Sequence, residues 1–219
     1  MHRTNQRVEP ACPSKVRRPS AILFAIIVAA GLILIGKGLY IHAKAAIAQV
    51  MLETSFEQSN GKPGPARPWP WADFTTEIRL GSDRLGVSDI VLSEAGGEAL
   101  AFGPTHLSGT PLPGETGTAV IAAHRDTHFR WLKDLRPGDL LNVTGRDGNN
   151  QVFTVRSARI ARNDASGIDA NRQGVWMALA TCWPFDAATP GPLRYIVETE
   201  LLTTPANGPA LALTSQIER

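Results

Sequence analysis

Cysteine is nearly absent: the 219 residues contain two, Cys12 and Cys182. Two isolated cysteines form neither a CxxC redox pair nor a zinc ligand set. The "HRDTH" stretch, His124 to His128, is the nearest approach to metal spacing. Phe129 and Trp131 crowd it and it lacks a third ligand, so no metal is expected. A glycine-rich phosphate loop is also missing, so no nucleotide cofactor is expected. Aromatic residues make up 6% of the chain, and no basic stripe interleaves with them, which excludes a nucleic-acid surface. Internal repeats and low-complexity tracts are lacking. Long alternating helical patterns are lacking too, which argues against a parallel α/β fold.

Net charge is also small, +2, but unevenly placed. The first twenty residues carry Arg3, Arg7, Lys15, Arg17 and Arg18 against Glu9 alone, while the remainder is slightly acidic. Behind this basic tail runs "AILFAIIVAAGLILIG", Ala21 to Gly36, with no charge. Snorkelling of Lys37 and the interfacial preference of Tyr40 extend it to a span over 21–41. A cleaved signal peptide ending at "AKA", Ala43 to Ala45, is the competing reading. The positive-inside bias puts the N-terminus in the cytoplasm and everything after the span outside, so a single-pass protein of the cell (inner) membrane with an extracytoplasmic or periplasmic domain is expected. Cys12 and Cys182 are then separated by the membrane, and a lone thiol in an exported domain is a candidate reactive group.

Residues 42–74 read as a juxtamembrane helical stalk and a Pro-rich linker, with Trp69 and Trp71 clipping onto the domain edge. From Thr75 the pattern turns β. The strand candidates are "TEIRL", "GVSDIVLS", "TAVIAAH", "LLNVTG", "NQVFTVRSARI", "VWMALATC" and "PLRYIVETELL". "HFRWLKDL" suits one or two helical turns, and "AFGPTHLSGTPLPGETG" reads as a turn-rich connection. About eight short strands predict a mainly β fold, a closed barrel or a sandwich, over 75–202. A polar tail, 203–219, follows.

Three chemically capable residues fall at strand ends: His124, Cys182 and Arg194. A base, a soft nucleophile and a fixed cation are the parts needed for acyl transfer through a thioester. Arg194 keeps its charge and offers several donors to an oxyanion. His124 is suited to protonate a leaving amine and deprotonate an incoming one. His106 and His128 read as structural.

The segments "GTPLPGETGTAVIAAHRDTHF", "LKDLRPGDLL" and "ALATC", with Arg194 twelve residues after Cys182, resemble the sortases, membrane-anchored cysteine transpeptidases. "RPWPWAD", "HRDTHF" and "CWPFDA" look most like the type found in Gram-negative bacteria. The resemblance implies an eight-stranded closed β-barrel behind one transmembrane helix, with His124, Cys182 and Arg194 catalytic. It further implies an exported protein substrate with a C-terminal sorting signal and an amine acceptor. Thr181 and Trp183 are expected to position substrate. Ala178 and Ala123 depart from the family's usual Thr and Gly without removing a reacting group. An L,D-transpeptidase is disfavoured, because Cys182 follows Thr181 rather than Gly. A sortase-like protease that mainly hydrolyses, and a non-catalytic tethered barrel that binds a partner, are the alternatives. Loss of Cys182 thiol reactivity on changing His124 would separate enzyme from binding module.

Overall fold

The computed structural model describes residues 19–59, 61–62, 64, 66–93 and 96–202. Nearly all of the expected basic tail, with Cys12, and the C-terminal tail 203–219 lie outside the described residues. The chain divides into two compact units, Met1–Ala46 and Ile47–Arg219.

Helix α1 spans Pro19–Ser59. In its first unit the apolar side chains are exposed one after another, among them Phe24, Leu32, Leu34 and Tyr40. α1 is the one helix among the described residues long and apolar enough to cross a membrane, an 18-residue stretch of it having a mean hydropathy of 2.5. Of the expected stalk and linker, 42–74, the part from Ile47 onward falls in the second unit. Ala48, Leu52 and Phe56, at helical spacing, bury one stripe of α1 against Trp69, Phe74, Ile90 and Leu92. The two linker tryptophans diverge. Trp69 is buried edge-on to Phe74 and Phe102, and Trp71 stays 77% exposed.

The rest is a closed eight-stranded barrel, one of the two architectures the strand pattern allows and the one the resemblance implies. Its strands are β1 (Thr76–Ser82), β2 (Val87–Leu92), β3 (Thr105–His106), β4 (Gly117–Ala122), β5 (Leu140–Gly145), β6 (Asn150–Arg162), β7 (Val175–Cys182) and β8 (Leu193–Leu201). Around the barrel the order is β1-β2-β3-β4-β7-β8-β6-β5. β4 and β7 run parallel, as do β2 and β3, and the remaining pairs are antiparallel. Helix α2 (Gly97–Phe102) ends at the start of the stretch that reads as a turn-rich connection, and β3 lies within it.

Alternation along each strand sets the interior. Ala119 and Ile121 of β4, Met177 and Leu179 of β7, and Val197 of β8 join Leu80, Leu141 and Phe153 in one buried cluster. The intervening residues, Val120, Ala178 and Ile196, form a second cluster on the outer face with Ile168 of the β6–β7 loop. β4 and β7 are therefore covered on both faces. That is why "TAVIAAH" and "VWMALATC" read as nearly continuous apolar runs rather than as alternating strands.

Candidate active site

β4 and β7 are in register as parallel neighbours, with Ala122 beside Ala180. Pairing continues one step further, where the Ala123 amide donates to the Ala180 carbonyl at 3.2 Å. His124 and Cys182 thus leave the same rim of the barrel on adjacent strands. β8 runs antiparallel to β7, and Arg194 sits directly opposite Cys182. Residues opposed in this way have Cα atoms about 4.5–5.5 Å apart. The three residues also share strand parity with Val120, Ala178 and Ile196, so they belong to the outer face. There they line one cavity of about 370 Å³, with Val120, Ala180 and Ile196 as its apolar floor. Asn163, Ser166 and Ile168 of the β6–β7 loop form its wall.

Cys182 is a free thiol at intermediate burial. His124 is exposed on the rim. Arg194 is half-buried and donates from Nη1 to the carbonyls of Gly191 and Leu193, at 2.8 and 2.9 Å. It pairs with no carboxylate among the described residues, so its charge remains available to a developing oxyanion.

Thr181 also lines the cavity, but its hydroxyl is directed elsewhere. The side chain is 2% exposed, and Oγ1 donates to the carbonyl of Ala123 at 2.8 Å. It braces the residue before His124.

Trp183 is not among the residues lining this cavity. One residue past Cys182, it has the opposite parity and faces away from the groove. It stacks on Tyr195, ring centroids 5.7 Å apart, and meets Phe185 edge-on. These rings and Lys133 line a different cavity, of about 550 Å³. Phe185 and Tyr195 pack against the barrel interior, and burial raises the Tyr195 hydroxyl pKa.

His106 and His128 are tied elsewhere. His106 ends β3 beside Ile121 of β4, and its Nδ1 lies 3.4 Å from Glu77 Oε2. That carboxylate raises its pKa against the opposing effect of burial. His128 Nδ1 is 2.8 Å from Asp89 Oδ1, and the Trp131 indole donates to the same carboxylate. Sequence reading passed over one residue of the rim, Arg125, buried beside His124. Its only signal was an arginine within a run where burial was not foreseen.

The chain is similar to several known proteins. A family model described as "Sortase domain" matches residues 80–202. Sortase D of Bacillus subtilis (strain 168) is 27% identical over 190 residues, covering 81% of this chain and 96% of its own length. Sortase E from Streptomyces avermitilis superposes with a TM-score of 0.50 at 26% identity, covering 58% of this chain and 88% of that one. Sortase A from Corynebacterium diphtheriae, at 19% identity and a TM-score of 0.55, covers 76% and 89% and shows the likeness of fold. The narrower likeness to the Gram-negative type is not supported, since the Bacillus relative is from a Gram-positive bacterium. Three strings of six or seven residues are too short to separate branches of one family.

Proposed function

The chain belongs to the sortase family, and from that premise we propose that it is a membrane-anchored cysteine transpeptidase acting on an exported partner protein. The Cys182 thiolate attacks a backbone carbonyl in a C-terminal sorting signal. The resulting oxyanion lies against the Arg194 guanidinium, which replaces water as its donor. The C–N bond breaks, and His124 gives its proton to the leaving amine. An incoming amine attacks the thioester, His124 takes its proton, and the Cys182 sulfur leaves as thiolate. Acyl group and protons balance, and no cofactor enters.

The observation that carries this reading is the placement of a base, a thiol and a guanidinium on one outer face, around a single groove. The apolar floor of Val120, Ala180 and Ile196 suits an extended peptide. The apolar exposed part of α1 suits an anchor, and the N-terminal charge favours a cytoplasmic tail with the barrel outside the inner membrane. A reporter fused after Arg219 and active only outside the cytoplasm agrees with that orientation; activity inside overturns it.

The test of the chemistry is mass spectrometry of the full chain incubated with peptides ending in candidate sorting signals. A covalent acyl adduct on Cys182 is expected, released by added amine and absent in Cys182→Ala. Cys182 that neither acylates nor reacts with iodoacetamide faster than Cys182 in His124→Ala favours the binding-module reading. An adduct released by water at the same rate with or without amine favours a protease.

A further inference from the structure

Arg125 follows His124 and is buried, its side chain only 8% exposed. A guanidinium in such a place requires partners for nearly all its N–H groups. Its one carboxylate partner, Asp126, is 70% exposed, so that pair contributes little. The remaining partners are backbone carbonyls of a single segment. Nη1 donates to Pro184 at 2.9 Å, and Nη2 donates to Ala187 and to Thr189. That segment, 183–192, is the connection between Cys182 and Arg194. Its far end is gripped by Arg194 itself, through Gly191 and Leu193.

We infer that Arg125 is a positioning residue: it fastens the loop joining Cys182 to Arg194 to the strand end that carries His124. This inference rests on the transpeptidase reading above. Without the clamp, β4 and β7 still pair through Ala122 and Ala180, and the groove keeps its floor. What changes is the loop. The Gly191 carbonyl moves, the Arg194 fork loses an anchor, and the guanidinium is no longer held toward the thiol. The effect therefore falls on the chemical step rather than on peptide binding, since Arg125 does not line the groove. Lysine cannot substitute. Its three protons sit on one nitrogen, whereas the clamp spans carbonyls from Pro184 to Thr189.

The experiment uses the full chain in detergent and compares wild type with Arg125→Lys. Two measurements do not depend on turnover: amide hydrogen exchange across 183–192, and the rate of Cys182 alkylation by iodoacetamide. The third is the kinetics with a peptide that acylates wild type. The expected result is exchange at least tenfold faster in the loop, an altered alkylation rate, and kcat lowered about 10- to 100-fold, as for a misplaced reacting group. KM should stay within about twofold. Faster exchange with unchanged kcat makes Arg125 a structural staple and overturns the proposal. Unchanged exchange, or a loss carried by KM alone, overturns it as well. If the lysine variant does not fold, Arg125→Gln removes the buried charge and is held to the same outcomes. A wild type that never acylates sinks the transpeptidase reading, while exchange and alkylation still decide whether Arg125 governs the loop and the thiol.

Discussion

Replacing Thr181 by valine isolates one hydrogen bond at the rim. Valine nearly matches threonine in shape but lacks the hydroxyl. In the folded protein that hydroxyl is buried and donates to the Ala123 carbonyl at 2.8 Å. An ordinary hydrogen bond contributes about 1 kcal/mol net, and a buried acceptor left unsatisfied raises the loss to roughly 1–3 kcal/mol. A cost of about 2 kcal/mol is expected. For a domain of this size that lowers Tm by roughly 4–8 °C. Ala123 immediately precedes His124, so kcat should fall as well, by about tenfold, with little change in KM. Thr181→Ser keeps the donor and should retain most of both. The assay is thermal unfolding of the purified chain followed by peptide turnover, corrected for folded fraction. If Thr181→Val melts with wild type and turns over normally, the brace between β7 and the His124 segment does not exist as described.

Other perturbations separate chemistry from packing. Arg194→Lys keeps the charge but loses the fork, and kcat should fall on the order of 10²–10³ with the fold intact; near-normal turnover removes Arg194 as the oxyanion partner. Trp183→Ala removes a ring stacked on Tyr195 and should cost about 2 kcal/mol in denaturant unfolding. Its share of hydrolysed product should not change, and a rise would make the ring a solvent barrier to the thioester. Because Glu77 raises the His106 pKa, the folded state holds that proton more tightly than the unfolded chain. The stabilisation is complete below the ordinary imidazole value of about 6.5 and is lost as pH rises through the raised one. The Tm gap between wild type and Glu77→Gln should therefore be wider at pH 5.5 than at pH 9, and a constant gap would count against the pair.

Much of this protein is determined by local sequence. The basic tail ahead of an uncharged apolar run specifies a helix suited to a membrane, and transfer free energy needs no tertiary context to act. The strands are legible because β-branched and apolar runs end at Gly, Pro and Asp turns, as at "RPGD" and "RDGN". His124, Cys182 and Arg194 are legible because each ends or begins such a run and each is chemically capable. Tertiary structure decided the rest. The register of β7 against β4 and β8 put those three on one face, and side-chain parity sent Trp183, a single residue away, to the other. Contacts between segments distant in sequence, which no local pattern reports, buried one stripe of the helix at Leu52 and Phe56 against Trp69, Phe74, Ile90 and Leu92. They also turned Arg125 from one arginine among many into a clamp. Carbonyls from 59 to 64 residues further along the chain meet its guanidinium only after the barrel has closed.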